Sequence, residues 1–169
     1  MNFHSPADTT AEEIFQLLEE VKDPEVPVLS IIDLGIVRKV AIEKDQIHIT
    51  ITPTYSGCPA MDVIKMNIRV QLQAHGLSDV RVIEKLSPPW TTDWMTEEGK
   101  RKLKEYGIAP PNPKQQVCDN TLFAENEAVQ CPRCDSYHTR RVSEFGSTAC
   151  KALYICESCQ EPFDYFKCY

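Results

Sequence analysis

The sequence predicts an α+β protein in which a small helix-and-sheet domain is followed by a four-cysteine metal ribbon. The first part shows two helical periodicities and three short β-branched runs, in the order helix, strand, strand, helix, strand. That order is typical of a small domain whose helices pack over a sheet. Near the C-terminus, two Cys-x-x-Cys pairs have the spacing of a metal-binding ribbon.

The first helix is predicted over residues 10–22. Thr10 and Glu13 form a capping-box pattern, and apolar residues then recur at helical spacing. Asp23-Pro24 is expected to end the helix, because the residue before a proline disfavours the helical conformation. The apolar residues of this helix are Ile14, Leu17, Leu18 and Val21.

Two strands are predicted next, over residues 36–42 and 47–52, with a hairpin turn at residues 43–45. The first run is short and β-branched, and in the second run apolar and polar residues alternate with the period of a half-buried strand. The alternating apolar residues are Ile47, Ile49 and Ile51.

A second helix is expected after the loop 53–59, with Gly76 as its C-terminal cap. A third strand is predicted over residues 80–83, and a short polar helix over 96–106 that Gly107 ends. The buried face of the second helix is predicted to consist of Met61, Ile64, Ile68 and Leu72.

The domain boundary is predicted at a proline-rich segment. Three prolines occur within residues 110–113, and a polar stretch follows to about residue 130. We therefore expect a first domain over residues 1–107, a linker over 108–130 and the ribbon over 131–169.

Composition and charge exclude some classes of function. The chain has 18 basic and 25 acidic residues, a net charge of −7, which argues against nucleic acid as a partner because phosphate binding needs a basic surface. No apolar run is long enough to cross a membrane, and the N-terminus lacks the pattern of a secretory signal. We therefore expect a cytoplasmic protein that binds neither nucleic acid nor membrane.

The ribbon is predicted to hold one structural zinc ion. Twenty-one residues separate the two Cys-x-x-Cys knuckles, and the stretches 137–145 and 152–155 have strand character. Four thiolates on two facing turns form the tetrahedral site that zinc favours, and a segment this short needs such a link to fold. A redox pair of dithiols is the alternative. The predicted ligands are Cys131, Cys134, Cys156 and Cys159.

Two more cysteines, Cys150 and Cys168, lie within the predicted ribbon. They are either small core or free thiols, or a second set of soft ligands that bind an iron–sulfur cluster transiently with Cys118 or Cys58. His138 is expected to be a surface residue of a strand, because four sulfurs already complete the metal site.

Cys58 is the candidate functional thiol of the first domain. It follows Gly57 and precedes Pro59, so it is expected beside the N-terminus of the second helix, where partial positive charge favours a thiolate. A buried structural cysteine is the alternative. The hydroxyl groups of Thr52, Thr54, Tyr55 and Ser56 are expected nearby. The sequence offers no Ser/His/Asp set, phosphate loop or acid–base pair, which argues against an independent enzyme.

The segments 23–28, 33–35 and 52–60 resemble those of the MIP18 family (also called DUF59), small α/β proteins that serve iron–sulfur cluster assembly and transfer. The resemblance implies that the important cysteine is Cys58. It also implies that the ribbon departs from the usual members, which end before it. The remaining signature positions implied by the resemblance are Asp23, Glu25, Asp33 and Thr54.

The segments 89–95, 144–154 and 161–168 resemble the D subunits of bacterial 1,2-phenylacetyl-CoA epoxidase systems. The resemblance implies a role in phenylacetate breakdown, beside a di-iron oxygenase subunit and a flavin reductase with a [2Fe–2S] cluster. We expect an accessory protein that assists assembly of an iron–sulfur cluster or metal centre in these partners. The alternative is a structural or regulatory docking subunit of the oxygenase complex.

The aromatic segment Trp90 to Met95 is unusual for a linker. Either both indoles pack onto the sheet, or one stays exposed and anchors a partner subunit. Trp94 is the predicted anchor, because it lies farther from the proline pair Pro88-Pro89.

Overall fold

The computed structural model describes residues 9–44, 46–111 and 129–167. The chain divides into two compact units, Met1–Gly99 and Lys100–Tyr169. Within the described residues, no helix is long and apolar enough to cross a membrane.

The first unit consists of two helices and a three-stranded sheet, in the predicted order. Its elements are α1 (Ala11–Leu18), β1 (Val37–Glu43), β2 (Gln46–Ile51), α2 (Ala60–Ala74) and β3 (Val80–Glu84). The sheet order is β1-β2-β3; β1 is antiparallel to β2 and β3 is parallel to it. The parallel pair follows from the crossover through α2, because a tight hairpin joins only antiparallel strands.

Helix α1 begins as predicted, with the Thr10 side chain accepting from the Glu13 N–H and the Glu13 side chain accepting from the Thr10 N–H. The predicted end at residue 22 is wrong, because α1 ends at Leu18. Beyond it the backbone pairs with another segment: Asp23 donates to the Leu29 carbonyl and Ile31 donates to the Val21 carbonyl.

The core of the first unit lies between the sheet and the two helices. The predicted faces of β2 and α2 are buried, and together with α1 they close the core. Burying an aliphatic side chain of this size contributes about 1.5–3 kcal/mol each. The side chains concerned are Ile14, Leu18, Ile47, Ile49, Ile51, Met61, Ile64, Ile68 and Leu72.

The turns of the first unit follow the sequence signals. The register pairs Glu43 with Gln46, and Lys44, in the predicted turn 43–45, has φ 50. Asp45 of that predicted turn lies outside the described residues. Helix α2 ends at Ala74, Gly76 follows with φ 84, and Leu77 donates to the Leu72 carbonyl. This arrangement is a C-terminal cap in which a glycine takes the left-handed conformation.

The segment Trp90–Thr96, which contains a 3₁₀ turn over Thr92–Trp94, packs on the turn Asp33-Leu34-Gly35. The buried Trp90 donates through Nε1 to the Leu34 carbonyl at 2.8 Å, and the Thr96 N–H donates to the Asp33 carbonyl at 2.9 Å. Gly35 has φ 66, and a Cβ there would collide with the Trp94 backbone. Glycine is therefore required at residue 35 by both conformation and space.

The second unit contains a four-stranded sheet in the order β4-β7-β6-β5. Its strands are β4 (Ile108–Ala109), β5 (Thr139–Ser143), β6 (Lys151–Cys156) and β7 (Pro162–Phe166), and helix α3 (Glu97–Tyr106) spans the division between the units. Strands β5 and β6 lie where strand character is predicted, and α3 ends at the predicted glycine. Strands β4 and β7 are not predicted from the sequence. The core of this unit includes Val129, Ala152, Tyr154, Phe163 and Tyr165.

The predicted bounds of the domains, 1–107 and 131–169, stay a prediction. Within the segment interpreted as a linker, residues 108–109 form β4 and pair in parallel with β7.

Candidate functional site

Cys58 lies in the loop between β2 and α2. Its N–H donates to the Tyr55 carbonyl at 3.3 Å, and its own carbonyl accepts from the Met61 N–H at 3.2 Å. The side chain is half-buried. Helix α2 begins at Ala60, so the thiol lies two residues before the helix, as the sequence predicts.

The sequence leads us to expect a thiolate at Cys58, but the pKa of this thiol is raised. Burial raises the pKa of the Cys58 thiol above its ordinary value, although the Ala60 N–H and the Tyr55 side chain, both hydrogen-bonded to the sulfur, act in the opposite direction. The nearby carboxylates of Glu25 and Asp23 raise the pKa further. The predicted effect of the helix N-terminus is therefore outweighed by desolvation and negative charge.

Asp23 and Glu25 lie close enough to Cys58 to act on its charge. Asp23 is buried, and its Oδ1 accepts from the N–H groups of Glu25 and Val26, both at 2.8 Å. These bonds fix the turn after α1. The structure thus gives Asp23 a local structural role and an electrostatic effect on Cys58.

The buried Asp33 side chain stabilises its own turn through hydrogen bonds. Its Oδ2 accepts from the Ser30 N–H while the Ser30 Oγ accepts from the Asp33 N–H, both at 2.9 Å, and Thr96 Oγ1 donates to Oδ1 at 3.3 Å. Thr54 is buried in the loop before Cys58, beside Thr52, whose N–H donates to the Ile36 carbonyl. The signature residues therefore divide between the Cys58 surroundings and the 33–35 turn.

The second site is formed by the cysteine knuckles of the ribbon. The Sγ atoms of Cys131, Cys134, Cys156 and Cys159 all lie within 4.8 Å of one another. The Cys131–Cys159 and Cys134–Cys156 sulfur separations are 3.8 and 3.5 Å. Four thiolates around a zinc ion at about 2.3 Å have sulfurs about 3.8 Å apart, so the donor set and its spacing fit that metal.

The two knuckles share one backbone design. The first cysteine of each accepts from the N–H four residues later, from Asp135 and from Gln160, and both of these residues have positive φ, 60 and 63. The first cysteine also donates to the carbonyl five residues later. Because both knuckles use the same turn, each of them directs two cysteine sulfurs toward one common point.

The sulfurs of this cluster differ in acidity. Backbone N–H groups of Cys159 and Ser158 help to lower the pKa of Cys156 to about 6. At Cys134 the Ser136 N–H acts likewise, but desolvation and hydrogen bonds with the other three sulfurs outweigh it and raise the pKa to about 12. A metal ion that binds here therefore displaces the proton that Cys134 retains.

Of the other ribbon candidates, Cys150 and His138 are described, and neither belongs to the four-sulfur cluster. Cys150 is buried, with its Sγ 3.0 Å from the Thr148 Oγ1. Cys168 lies outside the described residues, as does Cys118. His138 is an exposed strand-end residue whose Nε2 lies 2.9 Å from a Glu157 carboxylate oxygen. Within the ranges that the structure describes, the four cysteines form the cluster suited to a metal ion.

One contact at the ribbon site carries no sequence signal. The hydroxyl oxygens of Ser136 and Ser158 lie 2.8 Å apart and connect the two knuckles beside the sulfurs. Serine is common in turns of every kind, so only the fold shows that these two side chains meet.

Two family profiles match the chain. The profile described as iron–sulfur cluster assembly protein matches residues 11–83, and that described as PaaD zinc beta ribbon domain matches residues 115–167. A protein of Escherichia coli K12, which bears the name of the D subunit of 1,2-phenylacetyl-CoA epoxidase, is 51% identical over 96% of this chain and 95% of its own length. The chain belongs to the family of phenylacetyl-CoA epoxidase D subunits.

Shorter relatives of this D-subunit family member match its first part. An Fe–S protein maturation auxiliary factor of Porphyromonas gingivalis is 34% identical over 56% of this chain and 90% of its own length. The Fe–S protein maturation auxiliary factor YitW of Bacillus subtilis is 37% identical over 54% of this chain and 91% of its own length. A DUF59 domain structure from Bacillus anthracis is 28% identical, with a TM-score of 0.51, and covers 54% of this chain and 89% of its own length.

Proposed function

We propose that this protein is a non-catalytic maturation factor of a phenylacetyl-CoA epoxidase system, which assists assembly of an iron–sulfur cluster or metal centre in partner subunits through Cys58. The half-exposed thiol in the loop before α2 carries the proposal. It lies in the part of the chain that matches iron–sulfur assembly proteins and two maturation auxiliary factors.

The acidity of Cys58 supports transient rather than resident binding. An iron–sulfur cluster is held by thiolates, usually four of them, so one cysteine supplies only part of a site. Because the pKa of Cys58 is raised by burial and by Glu25 and Asp23, iron must displace a proton that the thiol retains at neutral pH. That penalty weakens the bond and favours release to a partner with better ligands.

We assign the ribbon site a structural zinc ion. Four sulfurs close a tetrahedral site and leave no open position for a substrate or for delivery of the metal. When bound, the zinc would link the two knuckles and stabilise a sheet whose own core is small. Cys150 and Cys168 are proposed as additional soft ligands only for a cluster in transit.

The proposed partners are the di-iron oxygenase subunit and the [2Fe–2S] flavin reductase of the same system, in the cytoplasm. A reducing compartment suits a chain with eight cysteines, four of which lie together as the ligands proposed for zinc.

The test is to purify the reductase and the oxygenase from cells that contain the wild-type protein, no protein or the Cys58→Ala variant. Iron and acid-labile sulfide are then assayed per reductase, and iron per oxygenase. Loss of either content with Cys58→Ala, in a protein whose circular dichroism is unchanged, is the expected result. Ser56→Ala, an exposed change in the same loop, is the control and should leave the content unchanged. Full metal content with Cys58→Ala would contradict the proposal.

A docking subunit is the second candidate. The ribbon exposes three large apolar side chains, Tyr137, Val142 and Phe145, at 60, 51 and 62% of their surface. Such residues suit contact with another subunit. This candidate predicts normal cluster content but impaired assembly of the complex on size-exclusion chromatography when the gene is absent.

A further inference from the structure

Helix α2 carries an exposed apolar stripe on the side opposite its buried face. Val63, Met66 and Val70 are 41, 55 and 59% exposed, and their i, i+3, i+7 spacing places them on one line along the helix. Three of the four large apolar side chains exposed among the described residues of the first unit belong to this stripe. Leu86, at 58%, is the fourth.

The stripe begins beside the candidate thiol. Cys58 lies two residues before α2, and Val63 lies in the first turns of that helix. At 1.5 Å per residue, the three apolar side chains extend over about 10 Å from this end. A protein bound along the stripe would therefore have its own ligands within reach of Cys58.

The end of the stripe nearest Cys58 is acidic, whereas the exposed Arg69 lies beside Val70 at the other end. Asp62, in the first turn of α2, has a side chain that is 93% exposed, and Asp23 and Glu25 act on Cys58 from the preceding turn. Lys65 offsets part of this charge, with Nζ 2.6 Å from Glu84 and 3.3 Å from Asp62. The first unit as a whole has 16 acidic and 8 basic residues, whereas the second has 9 and 10. A complementary surface must therefore combine apolar side chains with basic residues at the end that meets Cys58.

We propose that Val63, Met66 and Val70 form the docking face for the protein that receives the cluster or metal, and that this acceptor presents apolar side chains and basic residues around its own cysteine ligands. Basic residues next to the acceptor's cysteines would favour their thiolate forms, which are the forms that bind iron. The inference rests on the proposed maturation role, since it assigns a partner to the Cys58 site.

The test uses the full-length protein and the cluster-free [2Fe–2S] reductase of the same system as the probe. The variants are Met66→Lys and its matched control Leu86→Lys, which adds the same charge to an equally exposed apolar residue outside α2. Binding is measured by calorimetry at low and high salt, and sedimentation velocity is run in parallel.

Met66→Lys should weaken binding by about tenfold or more, as expected for an interface anchor, while Leu86→Lys binds as the wild type does. Binding should also weaken at high salt. Equal binding by Met66→Lys and wild type, or no binding of the reductase by the wild type, overturns the inference. A dimer that Met66→Lys dissociates overturns it also, because the stripe would then hold a second copy. A failure of the proposed maturation role is a separate outcome. It would appear as normal metal content of the reductase and the oxygenase in cells with Cys58→Ala.

Discussion

Trp90 and Trp94, only four residues apart, occupy different environments. Trp90 is 2% exposed and its indole N–H is bonded to Leu34, so it is part of the core. Trp94 is half-buried, and the Arg38 guanidinium carbon lies 3.4 Å from its ring centroid. The structure therefore supports burial for Trp90, and the use of Trp94 as a partner anchor stays a prediction.

Trp90→Ala should destabilise the protein by about 3–5 kcal/mol, because it leaves a large cavity and removes a donor from the Leu34 carbonyl. Trp94→Ala should cost only about 1 kcal/mol, the size of an exposed cation–π contact. Urea unfolding of each variant measures both values. Equal losses of unfolding free energy in the two variants would mean that the two indoles are packed alike.

Cys58 should react with iodoacetamide slowly at neutral pH and faster as the pH rises. Because burial raises the thiol pKa, the reactive thiolate forms only above the ordinary range of a cysteine. Mass spectrometry of the Cys58 peptide across pH gives the midpoint. Tyr55→Phe should move this midpoint higher still, since the Tyr55 side chain lowers the pKa. A midpoint below that of a free cysteine would show that the helix N-terminus dominates.

At the scale of elements, the sequence predicts those whose signals are local. The Thr10–Glu13 capping box and the alternating isoleucines of β2 specify a helix start and a strand face by themselves. The end of α1 at Leu18 is set by hydrogen bonds to residues 29–31, which no helical periodicity reveals. Such nonlocal pairing overrides the apolar pattern that continues to Val21.

In the ribbon, too, the sequence predicts only the features whose signals are local. The paired knuckles predict which four cysteines meet, since their spacing is itself the signal. Strand β7 is not predicted because its one sequence signal is the alternation of Phe163 and Tyr165, in a short run that starts with proline. Strand β4, with two residues, is too short to carry a signal. The pKa of Cys58 depends on burial and on Asp23 and Glu25, which are distant in sequence and brought near by the fold.

The knuckles give a prediction for the ribbon strands. Cys156→Ser should remove the single zinc ion and unfold the sheet β4-β7-β6-β5, because an oxygen replaces one of four thiolates and the core alone is small. Cys150→Ser is the control, as Cys150 lies outside the cluster. Elemental analysis gives the metal content and hydrogen exchange of β6 gives the fold. Less than half an equivalent of metal in the wild type would disprove the site.

At the scale of the whole molecule, charge is divided unequally between the two units. The excess of acidic residues lies in the first unit, which also contains Cys58 and the apolar stripe, while the ribbon unit is nearly balanced. An encounter with a basic partner is therefore guided toward the first unit, and its rate should fall as salt rises. The ribbon contributes little to that attraction.

The contact between the segment Trp90–Thr96 and the turn Asp33–Gly35 also has a kinetic consequence. The Trp90–Leu34 and Thr96–Asp33 hydrogen bonds join residues 56 and 63 positions apart. Closing a loop of that length is slow compared with forming a helix or hairpin, because chain entropy is lost before the contact stabilises anything. During synthesis on the ribosome, the turn Asp33–Gly35 cannot complete this contact until residue 96 has emerged. We therefore expect the segment to close the first unit late in folding, so that changes there accelerate unfolding more than they slow folding.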